Sequence, residues 1–129
     1  MFDLTKKTDY GIELMVALAK NYKKGPASLR QIAKTRHLPL KFLEQVAGFL
    51  REGKLIDAKE GKSGGYFLKK SPAKISLAKI IDILEGPMEM GGCFGCPKAR
   101  MCGQKNVWNE VGKSVKKTIG KKTLKDLIR

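Results

Sequence analysis

Three cysteines that lie close together carry the most distinctive chemistry of this sequence. Cys93, Cys96 and Cys102 are spaced C-x2-C-x5-C and are its only cysteines. Their thiolates could hold an iron–sulfur cluster or zinc, and two of them could form a disulfide with one thiol left over. Spacing alone does not decide between these sites. An odd number of clustered cysteines nevertheless favours a metal or redox site in a reducing compartment over a secreted disulfide scaffold.

The segment around these cysteines has the composition of a loop. Residues 88–103 contain three methionines, three cysteines and four glycines, with little periodicity. Such a segment has no regular apolar face with which to join a core. We therefore expect a bound ligand to give it shape.

The charge balance favours a polyanionic partner. The chain has 27 basic and 12 acidic residues, a formal net charge of +15. In a small folded domain this excess points first to nucleic acid. An anionic membrane surface fits less well, because the basic segments offer no clear amphipathic helix with a wide apolar face.

Several other classes of protein are disfavoured. No apolar run reaches membrane-spanning length and the first residues lack the apolar core of a signal peptide, so we expect a cytoplasmic protein with no membrane partner. The single histidine, His37, is far from the cysteines in sequence, and neither a carboxylate pair nor a phosphate loop is present. We therefore predict that the chain is not an enzyme.

Periodicity predicts a helix pair after an initial buried helix. The first helix covers residues 8–23, with Thr8 and Asp9 at its N-terminal cap. Ser28 caps a short helix over 28–36, and Pro39 opens the next, over 39–52, after a tight turn at His37. At about 100° per residue, one side of this last helix is apolar and faces inward. The inward residues are Phe42, Leu43, Val46, Phe49 and Leu50; Lys41, Glu44, Gly48 and Arg51 face outward, and Gln45 lies on the flank.

The rest of the chain predicts a hairpin and three further helical segments. Short strands over 54–59 and 66–69 flank a glycine-rich tip, and Ser76 caps a helix that Gly86 ends. A long helix over 104–119 carries an apolar stripe, and Thr123 caps a final turn. A helix pair followed by a hairpin is the order of a winged helix-turn-helix. The expected fold is therefore mainly α with a small β-hairpin wing.

The second helix of the pair would read DNA. Its N-terminus and the side chains of Lys41 and Arg51 suit phosphates. Glu44 can accept a hydrogen bond from cytosine, and Gln45 can pair with adenine. Alternatively, Glu44 only pairs with a lysine on a solvated face.

The hairpin tip is the second candidate DNA-binding element. Glycines over 61–65 would let the backbone approach DNA closely, while Lys59 and Lys62 reach phosphates or the minor groove. The alternative is an ordinary glycine-rich turn.

Several segments together resemble the bacterial winged-helix regulators of the IscR and NsrR type, which include regulators of iron–sulfur cluster assembly and sensors of nitric oxide, iron and redox state. They are LTKKTDYGIEL, SLRQIAKTRHLPLKFLEQVAGFLREGKLI, KSGGYFLKKSPAKISLAKIIDILEGP, CPKARMCGQKNVWNEV and TLKDLI. The resemblance spans almost the whole chain. It departs at the wing, where Glu60-Gly61 replaces the family's frequent Arg-Gly pair, so Lys59 or Lys62 would have to substitute for the arginine.

The resemblance implies a homodimer on double-stranded DNA, with one reading helix per half-site. It implies a winged helix-turn-helix domain over 1–87, a cysteine loop over 88–103, and a dimerisation helix with a C-terminal turn over 104–129. The expected dimer contacts are Val107, Trp108, Val111, Val115 and Ile119. It also adds Phe42 to the DNA contacts, although periodicity turns that side chain inward. The full candidate set is Ser28, Pro39, Lys41, Phe42, Glu44, Gln45, Arg51, Lys59, Lys62, Gly64 and Gly65.

The resemblance also implies a [4Fe-4S] or [2Fe-2S] cluster on Cys93, Cys96 and Cys102. The gap between the first two cysteines is shorter than is usual in the family, which leaves the cluster type open. Some relatives complete the site with a histidine three residues after the last cysteine, where this chain has Lys105. Nitric-oxide-sensing relatives use an aspartate of the other subunit, from a Thr-Asp-Tyr segment that corresponds here to residues 8–10. Asp9 is therefore the candidate fourth ligand; alternatively, it only stabilises the helix N-terminus.

The functional expectation is a DNA-binding transcription regulator, expected to be a repressor, controlled by an iron–sulfur cluster that senses iron, redox state or nitric oxide. Nitric oxide or an oxidant would act on the cluster, and loss of a ligand shared between subunits would change the angle between the reading helices. The alternative is a winged-helix regulator with a thiol–disulfide or zinc switch and no cluster.

Overall fold

The structure, a computed structural model, describes residues 5–86 and 103–128. The helices are α1 (Lys6–Lys20), α2 (Leu29–Arg36), α3 (Leu40–Glu52), α4 (Leu77–Glu85) and α5 (Gly103–Lys121), and the strands are β1 (Ile56–Lys59) and β2 (Gly65–Leu68). Short 3-10 turns cover Pro72–Lys74 and Leu124–Leu127. The predicted winged helix-turn-helix fold is confirmed. No helix in the described part of the chain is long and apolar enough to cross a membrane.

Side-chain caps set most of the helix starts. Ser28 and Ser76 accept hydrogen bonds from Gln31 N and Lys79 N, so both predicted caps are confirmed. The predicted cap of α1 at Thr8 or Asp9 is wrong. Thr5 is the N-cap, because its backbone is extended and its hydroxyl accepts from Thr8 N at 3.3 Å.

One hydrophobic core joins the four N-terminal helices to the base of the hairpin. Burial of such side chains stabilises the fold by about 1.5–3 kcal/mol each. Leu124 of the C-terminal turn belongs to the same core, although it follows the long helix α5. The fully buried side chains include Leu14, Met15, Leu18, Leu43, Val46, Leu50, Ile56, Ile75, Ile80 and Leu124.

The helix pair has the predicted tight turn. His37 ends α2 in the left-handed conformation (φ 57°, ψ 46°), and Leu38 N donates to Ala33 O at 2.9 Å. Helix α3 then buries one side and exposes the other, as the 3.6-residue period requires. Its buried residues are Leu43, Val46, Ala47 and Leu50; Lys41, Glu44, Gln45, Gly48 and Arg51 are exposed.

The two aromatic residues of α3 lie at the edges of its apolar side. The prediction that Phe49 faces inward is wrong: its side chain is 42% exposed, and Lys7 Nζ lies 3.8 Å from the ring centroid. Phe42 is half-buried and packs edge-on against Tyr10, with the ring centroids 5.3 Å apart. The prediction that the Phe42 side chain faces the core is therefore only partly correct, because the side chain is half-buried.

The wing is a two-stranded antiparallel hairpin that is anchored to the chain before α2. Its register pairs Ile56 with Leu68 and Lys59 with Gly65. Ala27 adds an isolated bridge, since its N–H and C=O both pair with Tyr66 at 2.8 Å. The hairpin is therefore held next to the N-terminus of α2.

The C-terminal turn returns to the winged domain. Leu77 N donates to Lys122 O at 2.9 Å, and Leu124 N donates to Ile75 O at 2.8 Å. These bonds place residues 122–128 beside the start of α4. The division of the chain into residues 1–87, 88–103 and 104–129 stays a prediction. Leu124, in the last of these segments, packs into the core formed by the first.

Gly65→Ala should destabilise the fold. Gly65 has φ +151°, and an added Cβ would lie 2.4 Å from Ala27 O. This is a steric clash with a backbone atom, which can be relieved only by moving the main chain. We expect a loss of about 1–3 kcal/mol in the free energy of unfolding, measured with urea. In the control, Gly48→Ala, an added Cβ meets nothing within 4 Å, and the change should stabilise α3 by about 0.5–1 kcal/mol. Equal midpoints for Gly65→Ala and wild type would contradict the close approach.

Candidate nucleic-acid interface and cysteine segment

The outward side of α3 presents the predicted reading residues together. Lys41, Glu44 and Gln45 are all exposed on this side. Pro39 is the N-cap and makes no side-chain cap hydrogen bond, so the first N–H groups of α3 lack that partner. Such a helix start favours an anion.

A cleft of about 480 Å³ joins α2, α3 and the wing. It brings four predicted DNA-binding residues together: Ser28, Glu44, Gly64 and Gly65. The other lining residues are Leu29, Arg30, Leu40 and Tyr66. Sequence reasoning missed Arg30, Leu40 and Tyr66 as cleft residues. The Ala27–Tyr66 bridge, which brings β2 next to the start of α2, joins residues too far apart in the chain for a local pattern to connect.

The two wing glycines have a structural task besides their proposed approach to DNA. A Cβ on Gly64 would lie 2.1 Å from Lys59 O, and one on Gly65 would meet Ala27. Both positions thus require glycine for the hairpin itself, which is the alternative considered from the sequence. Their contact with DNA stays a prediction.

Arg51 and Lys59 lie away from this cleft. Arg51 Nε is 3.1 Å from Asp57 Oδ1, an ion pair that links the end of α3 to β1. The pKa of Asp57 is lowered, mainly because its carboxylate accepts the Ala58 N–H, and further by attraction to Arg51.

Lys59 lines a second cleft of about 350 Å³ with residues that include Tyr22 and Phe67. Lys62 is exposed in the hairpin turn. The DNA contacts of all three basic residues stay predictions.

The first turn of α1 is held by a carboxylate from the end of α4. Glu85 Oε1 accepts hydrogen bonds from the Thr5 and Thr8 hydroxyls, both at 2.6 Å, and from Thr5 N at 3.2 Å. The hydroxyl of the fully buried Thr8 is thereby satisfied. The pKa of Glu85 is lowered, first by the Thr5 hydroxyl and then by the Thr8 hydroxyl, because both favour the charged carboxylate.

Asp9 follows directly in this turn. Its side chain is exposed and makes no hydrogen bond or ion pair with another residue of 5–86 or 103–128. The three cysteines, at 93, 96 and 102, lie outside the described residues. The described residues alone contain no group of three side chains that could hold a metal ion.

The predicted dimer stripe on α5 is partly exposed. Val107 is 55% exposed. Trp108, Val111, Val115 and Ile119 are each only half-buried. Within α5, all of which is described, Gly112 alone is buried. The stripe therefore keeps some apolar surface open to solvent, most of all at Val107.

Comparison with known proteins identifies this arrangement. The Rrf2 family, described as iron-dependent transcriptional regulators, matches residues 4–129 of the chain. The chain belongs to the Rrf2 family. It is thus a DNA-binding transcription regulator, and the resemblance predicted from the sequence is confirmed.

Three Rrf2 relatives illustrate the likeness. The transcriptional regulator CymR of Bacillus subtilis (strain 168) is 33% identical over 96% of this chain and 88% of its own length. The structure of this global cysteine regulator has a TM-score of 0.88, covering 98% of this chain and 96% of that one. The structure of IscR from T. potens is 32% identical with a TM-score of 0.82, and the match covers 98% of this chain and 85% of that one. The structure of an oxidized form of Staphylococcus aureus CymR is 35% identical with a TM-score of 0.78, and the match covers 98% of this chain and 95% of that one. These relatives are regulators, in agreement with the prediction that this Rrf2 chain is not an enzyme.

Glu85→Gln should remove part of the acid sensitivity of the fold. The folded pKa of Glu85 lies below its ordinary value of 4.5, so its contribution to stability is present above about pH 4.5 and is lost as pH falls through the lower folded pKa. We expect Glu85→Gln to lower the free energy of unfolding at pH 7 by less than about 1 kcal/mol, because solvent screens this exposed carboxylate, and to flatten its decline below pH 4.5.

The matched control is Asp82→Asn, an exposed acid of the same helix that makes no side-chain hydrogen bond to another described residue. Urea unfolding from pH 3 to pH 7 compares the two variants. If both change the pH profile equally, Glu85 has no special role.

Proposed function

We propose that this Rrf2 regulator is a homodimer whose affinity for DNA is controlled by an iron–sulfur cluster on Cys93, Cys96 and Cys102, with Asp9 of the partner subunit as fourth ligand. The observation that carries the proposal is the position of the first turn of α1. This turn exposes Asp9 and also contacts both the reading helix α3 and the end of α4.

The DNA side of the proposal is supported by the exposed side of α3 and its cleft. Glu44 and Gln45 would read base edges, and Lys41 and the start of α3 would bind phosphates. Phe42 is half-buried, so only part of its ring is available for a contact with DNA. Each good bidentate pair discriminates between bases by about 1–3 kcal/mol.

The dimer is supported by the apolar stripe of α5. A partly exposed apolar stripe at helical spacing is typical of a subunit interface. Two copies of this stripe can cover each other around a two-fold axis, which would place two reading helices at defined half-sites.

The donor set fits an iron–sulfur cluster. Three thiolates are the ligands that such clusters prefer, and the Asp9 carboxylate has no partner among the described side chains that would compete for it. When bound, the cluster would supply a group that nitric oxide, oxidants or iron shortage can change. The residues of this chain would convert that change into a movement of α1.

Contacts already present in one protomer connect α1 to the reading helix. Tyr10 packs on Phe42, and Lys7 lies over Phe49. Residues on either side of Asp9 therefore touch both aromatic residues of α3. A shift of the first turn of α1 would act directly on the orientation of α3.

The test compares DNA affinity with and without the cluster. Protein purified without oxygen should be coloured and contain matching iron and sulfide. Removal of the iron should change its affinity for a duplex selected from a random pool by about 5–150-fold at fixed salt, the usual range of allosteric coupling. Asp9→Ala should weaken retention of iron, whereas Asp82→Ala, which changes an exposed acid on α4, should not. Equal affinity of the loaded and stripped proteins would refute the proposal.

A thiol–disulfide or zinc switch on the same cysteines is the second candidate. It is favoured by the oxidized form recorded for Staphylococcus aureus CymR. In that case the protein would be colourless, and oxidation or zinc removal would change DNA affinity instead.

Val111→Asp should dissociate the dimer. The change places a charge in the middle of the apolar stripe, where a partner stripe would bury it. Sedimentation velocity should show a shift from dimer to monomer at micromolar concentration. The control, Asn109→Asp, adds a charge about 160° away around the same exposed helix and should leave the dimer intact. A dimer that survives Val111→Asp would place the subunit interface elsewhere.

A further inference from the structure

The cleft between the wing and the helix pair contains one basic and one acidic residue. Of the eight residues that line it, only Arg30 is positively charged and only Glu44 is negatively charged. Arg30 lies in the first turn of α2, immediately after the cap Ser28 and Leu29, and is exposed. Nothing in the sequence pattern distinguishes it from the many other basic residues of the chain.

The guanidinium of Arg30 is available to a ligand. The ion pairs among the described residues are Arg36 with Glu13 and Arg51 with Asp57, so Arg30 is not neutralised by Glu44 or by another described acid. Two opposite charges thus share one cleft without forming an ion pair. A partner that offers both a hydrogen-bond donor and an anion would satisfy both side chains.

Double-stranded DNA is such a partner. A base edge in the major groove offers a donor to Glu44, while the adjacent backbone offers phosphate. In a helix-turn-helix the first helix of the pair crosses the backbone as the second enters the groove. That geometry brings the first turn of α2 to the phosphates beside the reading helix.

We infer that Arg30 binds a phosphate of the DNA backbone in this cleft, between the wing and α3. Its charge offsets the repulsion between Glu44 and the phosphates, and its planar donor group matches two phosphate oxygens. The wing has Glu60 where related regulators often have an arginine. Arg30 places a positive charge near the wing from α2 instead. The contact sets affinity and register but does not read sequence. It does not depend on what the cysteines bind.

The test is the salt dependence of DNA binding. The full chain, purified without oxygen, is titrated with a random-sequence duplex and with a duplex that the wild type selects from a random pool. For Arg30→Gln, the slope of log affinity against log salt should become shallower by about 0.9, one phosphate contact. Affinity for both duplexes should fall by a similar factor, about 5–10-fold at about 0.1 M salt. Arg30→Lys should restore the slope because it keeps the charge.

The matched control is Lys34→Gln, which removes one positive charge from the same helix at an exposed position that does not line the cleft. It should leave the slope close to the wild-type value. The inference is overturned if Arg30→Gln leaves the slope unchanged, if Lys34→Gln lowers it equally, or if Arg30→Gln weakens binding to the selected duplex alone. Thermal unfolding of each variant checks that the exposed substitutions leave the fold intact.

Discussion

The packing of α1 against both α3 and α4 depends on the missing side chain at Gly11. A Cβ there would lie 2.3 Å from Leu84 Cδ1 and 3.2 Å from Val46 Cγ1. Three helices therefore meet at one point, at a separation that only glycine permits without displacing Leu84. This contact fixes α3 against α1 and fixes the end of α4, after which the cysteines follow in the sequence. The first turn of α1, with Asp9, is thus tied to both.

That arrangement would allow the proposed cysteine site and the proposed reading helix to be connected through α1. The hydrogen bonds from Thr5 and Thr8 to Glu85 hold the start of α1 to the end of α4. The aromatic contact of Tyr10 with Phe42 and the cation–π contact of Lys7 with Phe49 reach the reading helix from the same turn. The proposed coupling would need no long path through the protein, because the start of α1 touches both α3 and the end of α4.

The sequence predicted those features that depend on local pattern. The amphipathic period of α3, the serine caps of α2 and α4, and the order of helix pair and hairpin are all local, and all are found. The errors lie where distant residues decide. The cap at Thr5 is reinforced by Glu85, 80 residues away in the chain. Phe49 lies at the edge of the apolar arc of α3 and contacts Lys7 of α1 instead of the core, a contact that the period of α3 alone does not predict. The position of Arg30 beside the wing depends on the Ala27–Tyr66 bridge, which joins distant parts of the chain. The cysteines are candidate ligands by residue type and spacing, and they lie outside the described residues.

The return of the C-terminal turn to the core affects the order in which the protein can fold. Leu124 is fully buried, and its N–H bonds to Ile75 O near the start of α4. A nascent chain that has formed α1 to α4 and the wing still leaves open the space that Leu124 fills. The domain can therefore complete its core only after the ribosome has passed this residue, when α5 has also been made. Closure of the core thus comes late in synthesis, after α5 and its partly exposed apolar stripe have been made.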